Sequence, residues 1–206
     1  MNQSTSVFRG LVLLAAILAL VGCRAIVPRA GDAAALAQQT SREAQLTELG
    51  GWSLDGRLAV SNGEDGGSGS LRWIQAADHY EFEVQAPVTR QTWRLHVKQG
   101  MALLEGLDNG PHEGPDAQAL LAEEVGWVLP LANLAAWVRG ARGEGESSMQ
   151  FADDGLPIEL AQHGWIVEYR GWDRKLSPPL PTKVFVQRGK QRVRLVITRW
   201  HSSDPT

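Results

Sequence analysis

The sequence predicts an α+β fold in which an antiparallel sheet dominates. Three observations carry that expectation. Apolar and polar residues alternate with period two through most of the chain from Trp52 onward, a short middle stretch switches to helical spacing, and Gly-, Asn- and Asp-rich turns separate the segments. A length of 206 residues suits one domain with a substantial core. The formal charge of −3 offers no basic surplus for nucleic acid, and a single Cys excludes an internal disulfide or a cysteine metal cluster.

The first element is a targeting segment. Residues 1–10 carry Arg9 and no acid, and Leu11 to Val21 is an unbroken apolar run. Eleven helical residues reach about 16 Å, short of a ~30 Å hydrocarbon core, so residues 1–22 read as a signal peptide removed from the mature chain. The run ends in Leu20-Val21-Gly22-Cys23, which resembles a bacterial lipobox. That resemblance implies cleavage before Cys23, with a diacylglycerol on its sulfur and a further acyl chain on its nitrogen. One acyl chain holds a protein marginally and two or more hold it firmly. In enteric-type bacteria an Asp at this position signals inner-membrane retention, and by that analogy Arg24 permits export to the outer membrane. Residues 23–50 read as a lipidated tether running into a marginal helix, with Leu36, Leu46 and Leu49 as sparse apolar points.

The domain is expected over residues 51–206. "WSLDGRLAV" sets Trp52, Leu54, Gly56, Leu58 and Val60 against Ser53, Asp55, Arg57 and Ala59. "SNGEDGGSGS" reads as a flexible turn leading into "LRWIQ", and "HYEFEVQ", "TWRLHVK" and "MALLEG" follow as half-buried strands. Two helices interrupt them: one starting near Asp116 with Leu120, Leu121 and Val125 on one side, and one with Pro130 near its start and Gly140 as its stop. Strands resume at "SSMQFA", "PIELAQ", "WIVEYRGW", "KVFVQ" and "VRLVITRW", giving strands, a helical pair and strands again.

Catalytic patterns are weak. The glycine-rich turn lacks the G-K-[ST] ending of a phosphate loop, and no G-x-S-x-G occurs. Asp108, His112, Glu113 and Asp116 are metal-capable in type. They share one imidazole without H-x-x-x-H spacing, and read as a polar loop before a helix N-terminus. The aromatic residues are the unusual feature: Trp 8 against Phe 4 and Tyr 2. Trp73, Phe82, Trp93, Trp165 and Tyr169 fall on the inward phase of strands, and Trp137 falls on the helical insert. Such rings can fill a core or wall a cavity, and these six are the candidate cavity residues. "VQAPVTRQTWRL" places Pro87, Val88, Thr89 and Arg90 in a loop between two strands, with apolar Val88 at its tip.

From the lipobox nearly to its end the chain resembles the outer-membrane lipoprotein receptor family LolB. The matching stretches are "GWSLDGRLAV", "LRW", "YEFEVQAPV" with "TWRL", "VGWVLPLANLAAWVRG" and "GWIVEYRGWD…LPTKVFV…RVRLVITRW". The resemblance implies a mostly β, incomplete (half-open) antiparallel β-barrel with a helical lid enclosing an apolar cavity. It implies a monomer without enzymatic activity that faces the periplasm from the outer membrane. Such a protein accepts mature lipoproteins from the periplasmic carrier LolA and inserts them into the inner leaflet. Its partners are then the carrier, acylated cargo and outer-membrane phospholipid, with no nucleic acid and no cofactor beyond the lipid on Cys23. In the family the loop tip is usually Leu in a Pro-Leu-Gly setting. Here Val88 stands for that Leu, and Thr89-Arg90 follows it. The alternatives are a lipid-anchored assembly factor with a filled core, or a periplasmic hydrolase.

Overall fold

The computed structural model describes residues 29–31, 33–87 and 91–202. Cys23 and the tip Val88-Thr89-Arg90 lie outside them. The elements in chain order are β1 (Arg29–Ala30), α1 (Ala33–Glu48), β2 (Trp52–Ser61), β3 (Gly66–Gln75), β4 (His79–Gln85), β5 (Thr92–Lys98), β6 (Met101–Glu105), β7 (His112–Gly114), α2 (Ala117–Glu124), α3 (Leu131–Trp137), β8 (Ser147–Phe151), β9 (Pro157–Gln162), β10 (Trp165–Asp173), β11 (Leu180–Arg188) and β12 (Gln191–Ser202).

All described strands join one antiparallel sheet in the order β1-β8-β9-β10-β11-β12-β2-β3-β4-β5-β6-β7. The join that makes one sheet of the early and late hairpins is β12 on β2, with Leu195 opposite Leu58 and Val193 opposite Val60. The sheet does not close, because β1 and β7 end it without pairing to each other. Its strands follow the expected alternation: β2 buries Trp52, Leu54, Leu58 and Val60 while Ser53, Asp55, Arg57 and Ala59 face outward. The inner face and the helices share one apolar core, to which α2 adds Leu120 and Leu121 and α3 adds Leu131, Leu134 and Trp137. Asp116 starts α2 by accepting from the backbone N–H groups of Gln118 and Ala119 at 2.9 and 3.0 Å.

Three segments differ from expectation. The glycine-rich turn contributes the first residues of β3, because a bare backbone is needed there. A Cβ on Gly67 would stand 2.8 Å from the Trp127 ring, so the Trp lies directly on the strand. The polar loop before α2 contains the short strand β7, paired to β6. The segment assigned to a tether and marginal helix holds α1, a regular helix of 16 residues that is bound to the domain. Its buried residues are Gln39, Arg42 and Leu46, whereas Leu36 and Leu49 remain 37% and 57% exposed.

Candidate functional site

The concave face of the sheet is where the candidate aromatics meet. Trp73, Phe82, Trp93, Trp137, Trp165 and Tyr169 are all at most 5% exposed. Trp73 and Phe82 are cross-strand partners with ring centroids 5.3 Å apart, and Phe82 lies 6.0 Å from Trp93. Trp52 and Trp127 extend this row at 5.0 and 5.3 Å. Trp137 of α3 meets Trp165 at 6.4 Å, and Tyr169 meets Trp172 at 5.5 Å. The six therefore form three neighbouring groups rather than one ring. The Trp73 Nε1 and the Tyr169 hydroxyl are buried without a hydrogen-bond partner, and burial pushes the Tyr169 phenol far up from its ordinary pKa.

The interior that the resemblance assigns to a cavity is occupied. Helix α3 lies across the concave face, and its Leu134, with Val138 just after its end, meets Leu58, Leu71, Trp73, Val184, Val193 and Leu195 around a void of about 10 Å³. That is near the threshold for a single water, far below an acyl chain. The aliphatic residues around this void carried no signal beyond their inward strand phase. The outer side of α3 is different. There Ala132, Ala135 and Ala136, with Arg139 just after the helix, border an open groove of about 850 Å³ whose opposite wall includes Leu46, Trp52 and Ala76. The helix is thus a thin partition between a filled interior and an open groove.

Its two ends are held unequally. Pro130 at the N-terminus supplies no side-chain cap. At the C-terminus, Gly140 takes a φ of +73°, and a Cβ there would stand 2.4 Å from the Trp172 ring. The Gly140 carbonyl accepts from Gln39 Nε2 and Arg42 Nη1 at 2.9 Å each, and Arg42 Nη2 donates to the carbonyls of Arg139 and Pro179 at 2.5 and 2.7 Å. In return, Arg139 Nη1 donates to the Leu46 carbonyl near the end of α1 at 3.0 Å. Each cation therefore donates to backbone carbonyl oxygen at the other helix's C-terminal end, Arg42 to two there and Arg139 to one. Burial pushes Arg42 down to about 10, which leaves it charged at neutral pH.

Glu43 completes this clamp by accepting from the Arg142 backbone at 2.9 Å and from its guanidinium at 2.6 Å. Burial alone would raise the Glu43 pKa, but hydrogen bonds from Arg142 and Gln39 outweigh it and hold it below 4.5. A depressed carboxylate contributes stability above its unfolded pKa and loses it as pH falls through the folded value. Denaturant titrations from pH 6 downward should show wild type losing stability below about pH 4.5. Glu43→Gln should lose less over the same range.

Pro87 is exposed at the β4–β5 loop, whose base is closed by the Ala86 N–H donating to the Gln91 carbonyl at 2.9 Å. The histidines face carboxylates or a carbonyl: His79 on Asp78, His96 between Glu81 and Glu105, His112 on Glu124, His201 on Asp55, and His163 on the Glu144 carbonyl. No hydroxyl nucleophile takes part in these pairs, and among the described residues no cluster could hold a metal ion.

With this geometry in place, the relatives become informative. The family model described as "Outer membrane lipoprotein LolB" matches residues 50–200, nearly all of the sheet and both inserted helices. The chain belongs to the LolB family. The outer-membrane lipoprotein LolB of Xanthomonas campestris pv. campestris (strain 8004) is 36% identical over 213 residues, covering 95% of this chain and 98% of its own. That of Xylella fastidiosa (strain 9a5c) is 35% identical over 205 residues, covering 95% and 94%. LolB membership makes this chain a lipid-anchored outer-membrane protein acting in lipoprotein localisation. A crystal structure of a LolA superfamily protein from Nitrosomonas europaea covers 82% of this chain and 94% of its own with a TM-score of 0.50. At 8% identity that likeness concerns the fold alone.

Proposed function

We propose that the chain accepts mature lipoproteins from the periplasmic carrier LolA. It encloses their acyl chains between the concave sheet and α3, and delivers them to the inner leaflet of the outer membrane. In this reading the sheet is a half-open barrel, α3 is its lid and the molecule works as a monomer without chemical catalysis. One observation carries the reading: an aromatic, predominantly apolar concave face is filled by a seven-residue helix that has an open groove behind it. Withdrawing Leu134, Trp137 and Val138 toward that groove would vacate a continuous apolar surface for an acyl chain to cover. Handover then follows relative affinities, with every 1.4 kcal/mol between carrier, receiver and bilayer shifting the partition about tenfold. The unpartnered Trp73 Nε1 and Tyr169 hydroxyl would donate to carbonyls of the incoming lipid.

The test uses the Cys23→Ser chain, which lacks the lipid attachment site, with a photo-crosslinker placed in turn at Trp73, Phe82, Trp93, Trp137, Trp165 and Tyr169. Carrier loaded with an acylated lipoprotein should give adducts at several of these positions. Silence at all six, with no uptake of cargo, would favour the assembly factor with a filled core that the 10 Å³ void also suits. For the loop, Val88→Glu is expected to leave acceptance from the carrier intact and to slow release into liposomes. Burying one Val side chain is worth about 1.5 kcal/mol, so the release rate should fall on the order of tenfold. Unchanged release would remove Val88 from the insertion step.

A further inference from the structure

The convex face of β2, β3, β11 and β12 carries a concentration of positive charge that lipoprotein binding does not use. Arg57, Arg72, Lys183, Arg192, Arg194 and Arg199 are all exposed and outward in phase. The registers place them side by side: Lys183 and Arg57 flank Val196 on neighbouring strands, and Arg72 and Arg199 flank Asp55. The one acid on these four strands, Asp55, is engaged by His201 at 2.8 Å; on the flanking strands Glu168 is paired with Arg170, and Glu83, opposite Arg72, with Arg94. This happens in a chain whose formal charge is −3, so acids are correspondingly concentrated elsewhere. On the neighbouring strands Glu81, Glu83 and Glu105 lie with His96 and Arg94.

Part of this charge is held in place by a ring. Arg170 and Arg194 stack over the Phe185 ring at 4.4 and 5.5 Å, and with Arg192 they border a shallow groove of about 240 Å³. Val196, 36% exposed, adds an apolar contact at the centre of the field. Guanidinium groups held in place beside an aromatic ring and an exposed aliphatic side chain suit phosphate esters at a water–lipid boundary.

We propose that this convex face docks onto anionic phospholipid headgroups of the membrane that carries the chain. The proposal rests on the outer-membrane placement of the family, and it is independent of acyl binding in the interior. The covalent geometry permits it. The six residues from Cys23 to Arg29 span at most about 20 Å, and β11 lies four strands from β1, also about 20 Å at ~4.8 Å per strand. A flat approach of this face would leave the concave side and its groove turned toward the periplasm, where cargo arrives.

The test is sedimentation of the Cys23→Ser chain with phosphatidylglycerol/phosphatidylcholine vesicles and with pure phosphatidylcholine vesicles, at low and high salt. Binding is expected only to the anionic vesicles and should weaken with salt. Removing a cation near such a surface costs about fivefold in partitioning, so Arg57→Gln/Lys183→Gln/Arg194→Gln should lose on the order of a hundredfold. Charge reversal at the same positions should lose more, while Arg174→Gln/Lys175→Gln, at the β10–β11 turn, should bind as wild type. Equal binding to neutral vesicles, or an unaltered triple Gln variant with a native melting transition, would overturn the proposal. So would a triple variant that keeps vesicle binding and loses uptake from the carrier, since the face would then serve a protein. Failure of wild type to accept cargo, with anionic-vesicle binding intact, would count against the proposed function alone.

Discussion

Arg42→Met is expected to lower the unfolding free energy by about 3 kcal/mol and to free the C-terminal end of α3. Met keeps most of the aliphatic volume under Trp172, so the loss isolates the guanidinium. Removing it cancels donations to the carbonyls of Arg139, Gly140 and Pro179 and the stacking over the Trp172 ring at 5.0 Å. Gly140 retains its bond from Gln39, so the larger loss falls on the other two carbonyls. Hydrogen bonds from a charged donor contribute roughly 1.5–3 kcal/mol each, but the cost of burying the cation is recovered when it is removed. That offset brings three such bonds down to the figure given. Chemical denaturation measures the total. Hydrogen exchange locates it, because amides of residues 134–141 should lose more protection than those of β2 or β12. Uniform loss would mean that Arg42 supports the whole fold and not α3 in particular.

Arg42 also shows why part of the fold was hidden in the sequence. The strands were legible because each buries one face, so that Leu54, Leu58 and Val60 alternate with solvent-facing neighbours and period two stands out. Helix α1 buries Gln39, Arg42 and Leu46, positions whose spacing is helical but whose character is mostly polar. Their partners lie around residues 139, 140 and 179, and no local pattern announces carbonyls so distant in the chain. A search for apolar periodicity therefore finds a weak helix and attaches it to the tether. The start of β3 was hidden for the opposite reason. Gly66, Gly67 and Gly69 look like turn residues, yet the bare backbone at Gly67 is what lets the Trp127 ring lie on the strand.

The site divides along similar lines. Inward phase identified Trp73, Phe82, Trp93, Trp165 and Tyr169, and helical placement identified Trp137. Phase tells which face a side chain takes, but not how far the opposing layer stands from that face. Whether the rings wall a hollow or touch α3 depends on how firmly a seven-residue helix docks and on its clamp, neither of which is written in alternation. The aliphatic neighbours Leu58, Leu71, Val184 and Val193 pass as ordinary core for the same reason. The convex cations were equally visible as outward residues, three of them on β12 and one each on β2, β3 and β11. Only the β11–β12, β12–β2 and β2–β3 registers bring them together.

Trp137→Ala is the change with the largest expected cost, and it discriminates between the two readings of the filled interior. Trp137 is fully buried, meets Trp165 and donates from Nε1 to Gln162 Oε1 at 2.8 Å. Truncating a buried Trp costs about 3–5 kcal/mol through lost apolar contact and the cavity left behind. A domain with a typical stability of roughly 5–15 kcal/mol can remain folded after that loss. Gln162 keeps partners at the Gly143 backbone, so no polar group is stranded and the penalty is chiefly one of packing. If α3 is a lid, the same substitution removes contacts that exist only in the closed arrangement, and a ligand of the open one should bind more tightly because less of its binding energy is spent on opening. A fluorescent long-chain acyl probe should therefore show stronger apparent binding to Trp137→Ala than to wild type. Phe82→Ala, which deletes a ring from the sheet itself, should be destabilised to a similar degree without that gain. Equal probe binding by both variants would assign Trp137 to a permanent core, and the interior would then have no gate.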